Sequence, residues 1–164
     1  MGGNTTTLAH YLTLLNKAGV LCGIEKYNSK PVERKKSSPR LMVYDTSLMT
    51  AVSGRAKELL LGDSELRGHL VESVVGARLL AMGPDLGFDV QWWREGNDEV
   101  DFVLVGEGKL AAIEVKSGRT KSQGGMAAFL RKHPEATRIV VGGGAAGAVT
   151  VEDFLLGNIT LPWS

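Results

Sequence analysis

Apolar and polar positions alternate along the chain with two periods, and the switches between them mark out the elements. In NTTTLAHYLTLLNKAG, Leu8, Tyr11, Leu12 and Leu15 recur at helical spacing; Asn4 or one of the threonines can cap this helix, and Gly19 stops it. VLCGIEKY and RLMVYD read as strands, joined by NSKPVERKKSSP, whose prolines and serines predict a loop or extended wing. DTSLMTAVSGRAKELLLGD predicts one or two short bridging helices. A longer helix follows Asp63 or Ser64, with an apolar stripe of Leu66, Leu70, Val74, Ala77 and Leu80–Ala81, ended by Gly83-Pro84. Three strands are expected next, in DVQWWRE, EVDFVLV and LAAIEVKSG. A short helix, GGMAAFLRKH, and a strand, TRIVVGG, come after them. TVEDFLLG closes the chain as a helix, with Thr150 and Asp153 in a capping-box pattern. The fold class is therefore α/β (α+β), and from residue 64 the order is helix, three strands, helix, strand.

Charge divides the same chain. Residues 1–61 carry nine Lys/Arg against four Asp/Glu, a net +5, and residues 62–164 carry ten against fourteen, a net −4; together these give the overall +1. Within the first part, 26–40 holds six basic residues against Glu33 alone. A basic front (1–61) and an acidic rear (62–164) predict two functional units. The helix and two-stranded wing of the front resemble the back end of a winged-helix domain whose other helices are missing. The chain is thus expected to be a fragment of something longer or a truncated descendant. Cys22 is the single cysteine, which rules out an internal disulfide and a cysteine-rich zinc site and fits a cytoplasmic location. No stretch is long enough to cross a bilayer, and the N-terminus lacks a signal core, so no membrane association is expected.

Chemistry concentrates in EVDFVLVGEGKLAAIEVKSG, residues 99–118. With Gly106–Lys109 as a four-residue connection, Val105 faces Leu110, Asp101 faces Glu114 and Glu99 faces Lys116. Facing residues, and those two apart on one strand, share a face, so these four charged side chains are expected to cluster. Phe102, Leu104, Ile113 and Val115 point the other way, into a core. Facing carboxylates repel; a shared proton is one remedy and a divalent cation another. A bound Mg²⁺ or Mn²⁺ would activate water and polarise a phosphoryl oxygen, and Lys116 would orient that water or steady developing charge. The pattern suits phosphodiester hydrolysis.

EVDFVLV…IEVKSG resembles the Asp…Glu-x-Lys motif of the PD-(D/E)xK nuclease superfamily, and the predicted order matches that superfamily's restriction-endonuclease-like αβββαβ core. The wider chain, through TLAHYLTLLNKAGVL, SSPRLMVYDTSL and RGHLVESVV, resembles the C-terminal region of predicted archaeal and bacterial AAA+ ATPases, a domain of unknown function. There an ATPase module precedes a winged helix and the nuclease-like domain. The resemblance implies Asp101, Glu114 and the Val115 carbonyl as metal ligands, with Lys116 as catalytic lysine. It also implies Glu72 as an acid beside the metal, with Glu65 and Glu99 as alternatives. Helical period opposes an inward Glu72, which lies about 200° from Leu70. No proline precedes Asp101. No G-x-x-x-x-G-K-[ST] occurs, and GGGAAGAVT carries no lysine, which argues against phosphate-loop nucleotide binding.

Nucleic acid, with DNA as the expected form, is the partner these features predict. Lys26, Lys30, Arg34, Lys35, Lys36 and Arg40 would grip phosphates from the front, and Arg119 and Lys121 from beside the metal, making affinity strongly salt-dependent. One of Trp92 and Trp93 is expected in the core and the other on the sheet surface, where it could stack on a base. His10, His69 and His133 share no metal-ligand spacing. Two functions follow: a metal-dependent nuclease, or a catalytically inactive nuclease fold that binds DNA or docks on an ATPase.

Overall fold

The computed structural model describes residues 5–29, 38–54, 62–117 and 124–164. It is a mixed α+β fold with two sheets. The elements are α1 (Thr5–Lys17), β1 (Leu21–Ile24), β2 (Arg40–Val43), α2 (Ser47–Ser53), α3 (Ser64–Leu86), β3 (Asp89–Glu95), β4 (Asp98–Gly106), β5 (Lys109–Lys116), α4 (Gly124–Lys132), β6 (Thr137–Gly142) and α5 (Val151–Leu156). β1 and β2 form an antiparallel pair. The main sheet runs β3-β4-β5-β6, antiparallel except for β6, which lies parallel to β5. Among the described residues no helix is long and apolar enough to cross a membrane.

The expected hairpin register is observed from Val105–Leu110 to Phe102–Ile113; the expected facing pairs Asp101–Glu114 and Glu99–Lys116 are not part of the ladder, which stops at Phe102. Phe102, Leu104, Ile113 and Val115 lie in the core on one face of the sheet, with α3, α5 and the chain's end. Val100, Val103, Leu110 and Ala112 lie in a second core on the other face, under α4. Strand alternation alone would place Val100 with Phe102 and Leu104. The break comes from a bulge. Gln91 pairs with Val103 and Trp93 with Val100, so Trp92 alone opposes both Asp101 and Phe102.

Capping follows the sequence pattern. The Asp63 carboxylate accepts from the amides of Glu65 and Leu66 at 3.0 and 3.1 Å, and Thr150 Oγ1 accepts from the Asp153 amide at 3.0 Å. Helix α3 departs from expectation at its far end. It continues through Gly83-Pro84 to Leu86 and is capped by left-handed Gly87, whose amide donates to the Gly83 carbonyl. Pro84 has no amide to donate to the Leu80 carbonyl, and the helix runs only two residues further before its cap. The buried stripe of α3 is also rotated from the predicted one, to Val75, Gly76, Leu79 and Gly83. Glycine carries no hydrophobic signal, yet it is what lets this face approach the sheet. A Cβ on Gly76 would stand 2.8 Å from the Phe102 ring, and one on Gly68 would stand 2.9 Å from Ser117 Oγ.

The basic hairpin is joined to the main sheet. Cys22, Ile24 and Met42 are buried in the same core as Val75, Leu79 and Phe102. Beyond β1 the chain pairs with the sheet edge: the Tyr27 amide donates to the Trp92 carbonyl at 2.6 Å, and the Trp92 amide donates to the Glu25 carbonyl at 3.1 Å. Tyr27 itself packs into the α4 core against Phe129 and His133. At the far end, Trp163 Nε1 donates to the Gly106 carbonyl at 2.9 Å and Lys109 Nζ to the Pro162 carbonyl at 2.7 Å, which fastens the tail to the β4–β5 turn.

Two outcomes follow from this packing. Gly76→Ala should lower unfolding free energy by about 1–3 kcal/mol in urea titrations, as overpacking does, while Gly62→Ala, which meets nothing within 4 Å, should stay within about 0.5 kcal/mol. Burial pushes the Cys22 thiol above its ordinary pKa, with the hydrogen bond to Tyr44 opposing it more weakly. Once the pH passes the ordinary thiol pKa, the unfolded chain gives up a proton that the folded chain keeps. Stability should therefore fall from that pH up to the folded thiol's own pKa. Alkylation of the native protein should be slow and should accelerate only as denaturant lifts the hairpin off the core.

Candidate active site

Asp101, Glu114 and Lys116 come to one end of the main sheet, where β4 begins and β5 ends. Asp101 is 4% exposed and Glu114 8% exposed, unusual burial for carboxylates. Asp101 stands just beyond the last ladder pair, and its Oδ2 accepts from the Val115 amide at 2.8 Å. A side-chain carboxylate thus takes over a hydrogen bond that a strand carbonyl would ordinarily accept. The bulge opposite Trp92 makes this possible, because it aims Asp101 toward β5 instead of extending the regular pairing.

Glu114 is bound by Lys116, its neighbour on the same face, through an Oε1–Nζ ion pair. The loop after β6 presses on this lysine. A Cβ on Gly143, whose φ is +78°, would stand 2.6 Å from Lys116 Cβ. The glycine-rich run that lacks a phosphate-loop lysine therefore packs against a lysine from the neighbouring strand.

Glu72 does face inward, because the rotated stripe of α3 places it three residues before Val75 and four before Gly76. It lines a cavity of about 280 Å³ together with Ser64, Glu65, Gly68, His69, Val115 and Ser117. Its Oε1 accepts from Arg40 Nη1 at 3.1 Å. Glu99 is drawn to the same guanidinium through Nη2, and Arg94 stands 3.9 Å away on its other side. The expected Glu99–Lys116 pairing is replaced by these contacts, since the bulge shifts the residues before Asp101 out of the simple register.

Arg40 is the site residue that sequence reasoning placed differently. It was expected among the phosphate-gripping cations; here it also donates to the Asp101 carbonyl at 3.5 Å and lies 5.0 Å from the centre of the Trp92 ring. Lys26 lies over the same ring at 5.9 Å. Trp93 is buried edge-on to Phe129. Trp92 does not lie on an open sheet surface as expected but is partly buried against the α3 core beneath these cations, because the edge of the sheet there is covered by the hairpin. Lys30, Arg34, Lys35, Lys36, Arg119 and Lys121 lie outside the described residues. The signal that could have found Arg40's place is its position at the start of a strand beside Pro39, apart from the 34–36 run.

Among the described residues no three His, Cys, Asp or Glu side chains form a group able to hold a metal ion. Asp101, Glu114 and the Val115 carbonyl remain as hard oxygen donors, and one or two carboxylates with retained waters suffice for Mg²⁺. Asp101→Ala would leave the buried Val115 amide without its acceptor and should cost about 1–3 kcal/mol in denaturant unfolding. Asp101→Asn keeps an acceptor oxygen and should recover most of that loss.

Neither a curated protein nor a solved structure matches the chain. A family match does exist, and it spans the segment from the first turn of α3 past the end of α5, which includes the carboxylates and Lys116. With residues 67–160 matched, more than half of its length, the chain belongs to the family described as Domain of unknown function (DUF4143).

Proposed function

We propose that the chain is a divalent-metal-dependent nuclease domain of the PD-(D/E)xK type that hydrolyses phosphodiesters in nucleic acid, with DNA as substrate. The observation that carries this reading is the burial of two carboxylates, Asp101 and Glu114, at the ends of adjacent central strands beside Lys116. A fold gains little from burying two acids there, since a charged group loses its hydration on burial and must be compensated by a partner or a ligand. Asp101, Glu114 and the Val115 carbonyl would hold Mg²⁺ or Mn²⁺, which when bound supplies an activated water and polarises the phosphoryl oxygen.

The chain's own residues supply orientation and charge. The Val115 amide fixes Asp101 through one carboxylate oxygen. Lys116, held by Glu114 and braced by Gly143, offers a positioned ammonium to charge that develops on the phosphate. Lys30, Arg34, Lys35, Lys36, Arg119 and Lys121 would neutralise further phosphates, and binding would weaken steeply with salt.

One observation favours a second reading, a nuclease fold that binds DNA or docks on an ATPase without chemistry. Arg40 already neutralises Glu72 and Glu99, the acids that would complete a fuller metal centre. Cleavage of labelled DNA in Mg²⁺ or Mn²⁺ separates the two. Asp101→Asn, Glu114→Gln and Lys116→Met should each stay folded and lose at least about a hundredfold in rate, the scale for removing a group that stabilises transition-state charge. Activity that persists in all three variants would falsify the nuclease reading.

A further inference from the structure

One guanidinium joins the N-terminal hairpin to an acid of α3 and an acid of β4. Arg40 donates to Glu72 of α3, to Glu99 and the Asp101 carbonyl of β4, and its plane lies over Trp92 of β3. Its side chain is 24% exposed and that of Glu72 16%, so the pair is sheltered without being sealed from solvent. Glu72 has a second environment within reach, because it lines a cavity with Val115, the residue that follows Glu114. While Arg40 holds Glu72, that carboxylate is committed to a charge the chain itself provides.

Arginine cannot surrender its proton, so the guanidinium keeps its charge and is open to competition for it by another anion. Phosphate fits the planar guanidinium fork as well as carboxylate does, and a nucleic acid brings phosphates in a row. We infer that Arg40 is a latch and a positioning residue. A substrate phosphate draws it away from Glu72 and Glu99, and the released Glu72 becomes available to a divalent cation at the Asp101–Glu114 end. The hairpin thereby makes cation binding depend on substrate binding, and linkage requires the reverse dependence to be equally strong. This deepens the nuclease reading and rests on it.

The test measures binding, without turnover. Calorimetric titration with Mn²⁺ and no nucleic acid should give weak binding to the wild type and roughly tenfold tighter binding to Arg40→Met, a coupling of ordinary size. Adding Glu72→Gln to Arg40→Met should remove the gain, which general loosening of the fold would not do. In chelator, Arg40→Met should bind a short DNA duplex more weakly, with a salt slope smaller by about one. If Arg40→Met melts too low to titrate, Arg40→Lys keeps the charge without the fork and should show the same changes at smaller size. Mn²⁺ affinity that is unchanged or lower without the Arg40 fork overturns the latch, as does unchanged affinity for DNA. Failure of the nuclease reading shows separately, as a wild type that cleaves nothing in saturating metal.

Discussion

The hydrogen bond from the Val115 amide to the Asp101 carboxylate is the contact on which the site depends. It lies where the β4–β5 ladder stops and where the bulge opposite Trp92 begins. A buried amide must find an acceptor, and the bulge has taken the usual one away. Asp101 fills that need and is locked in place by doing so. The same local irregularity that ends regular pairing therefore presents a fixed carboxylate beside Glu114 and Lys116. Structure and candidate chemistry rest on one bond.

Around that bond, charge is balanced in two separate groups. On β5, Glu114 is held by Lys116. On the helix side, Glu72 and Glu99 are held by Arg40, with Arg94 nearby. Unpaired, any of these sheltered acids would carry a desolvation penalty. Arg40 comes from the basic front of the chain and the acids it binds from the acidic rear. The charge asymmetry along the sequence thus becomes, in part, a set of ion pairs across the hairpin–sheet junction. The same junction buries Cys22, Ile24 and Met42, which supply the apolar part of the attachment.

Much of this was legible beforehand. The element order, the caps at Asp63 and Thr150, and the β4–β5 register all follow from local rules of periodicity and turn length. The inward set of Phe102, Leu104, Ile113 and Val115 does too. The α3 stripe was misplaced because hydrophobic periodicity counts side chains, whereas this helix approaches the sheet through glycines that have none. Once Gly76 and Gly83 are counted as part of the buried face, Glu72 falls on its extension toward the site.

Local sequence, then, determined which strands pair, in what register, and that Asp101, Glu114 and Lys116 lie at one end of a hairpin. It could do so because strand alternation and a short turn act between residues close in the chain. Only the tertiary structure decided that Glu99 turns to Arg40, that Trp92 is covered by cations, and that Glu72 faces the cavity. Each of these depends on a bulge or on close approach between segments far apart in sequence. No periodicity encodes a contact between residue 40 and residues 72 and 99, because its energy comes from burial and charge compensation that exist only after the hairpin, helix and sheet have come together.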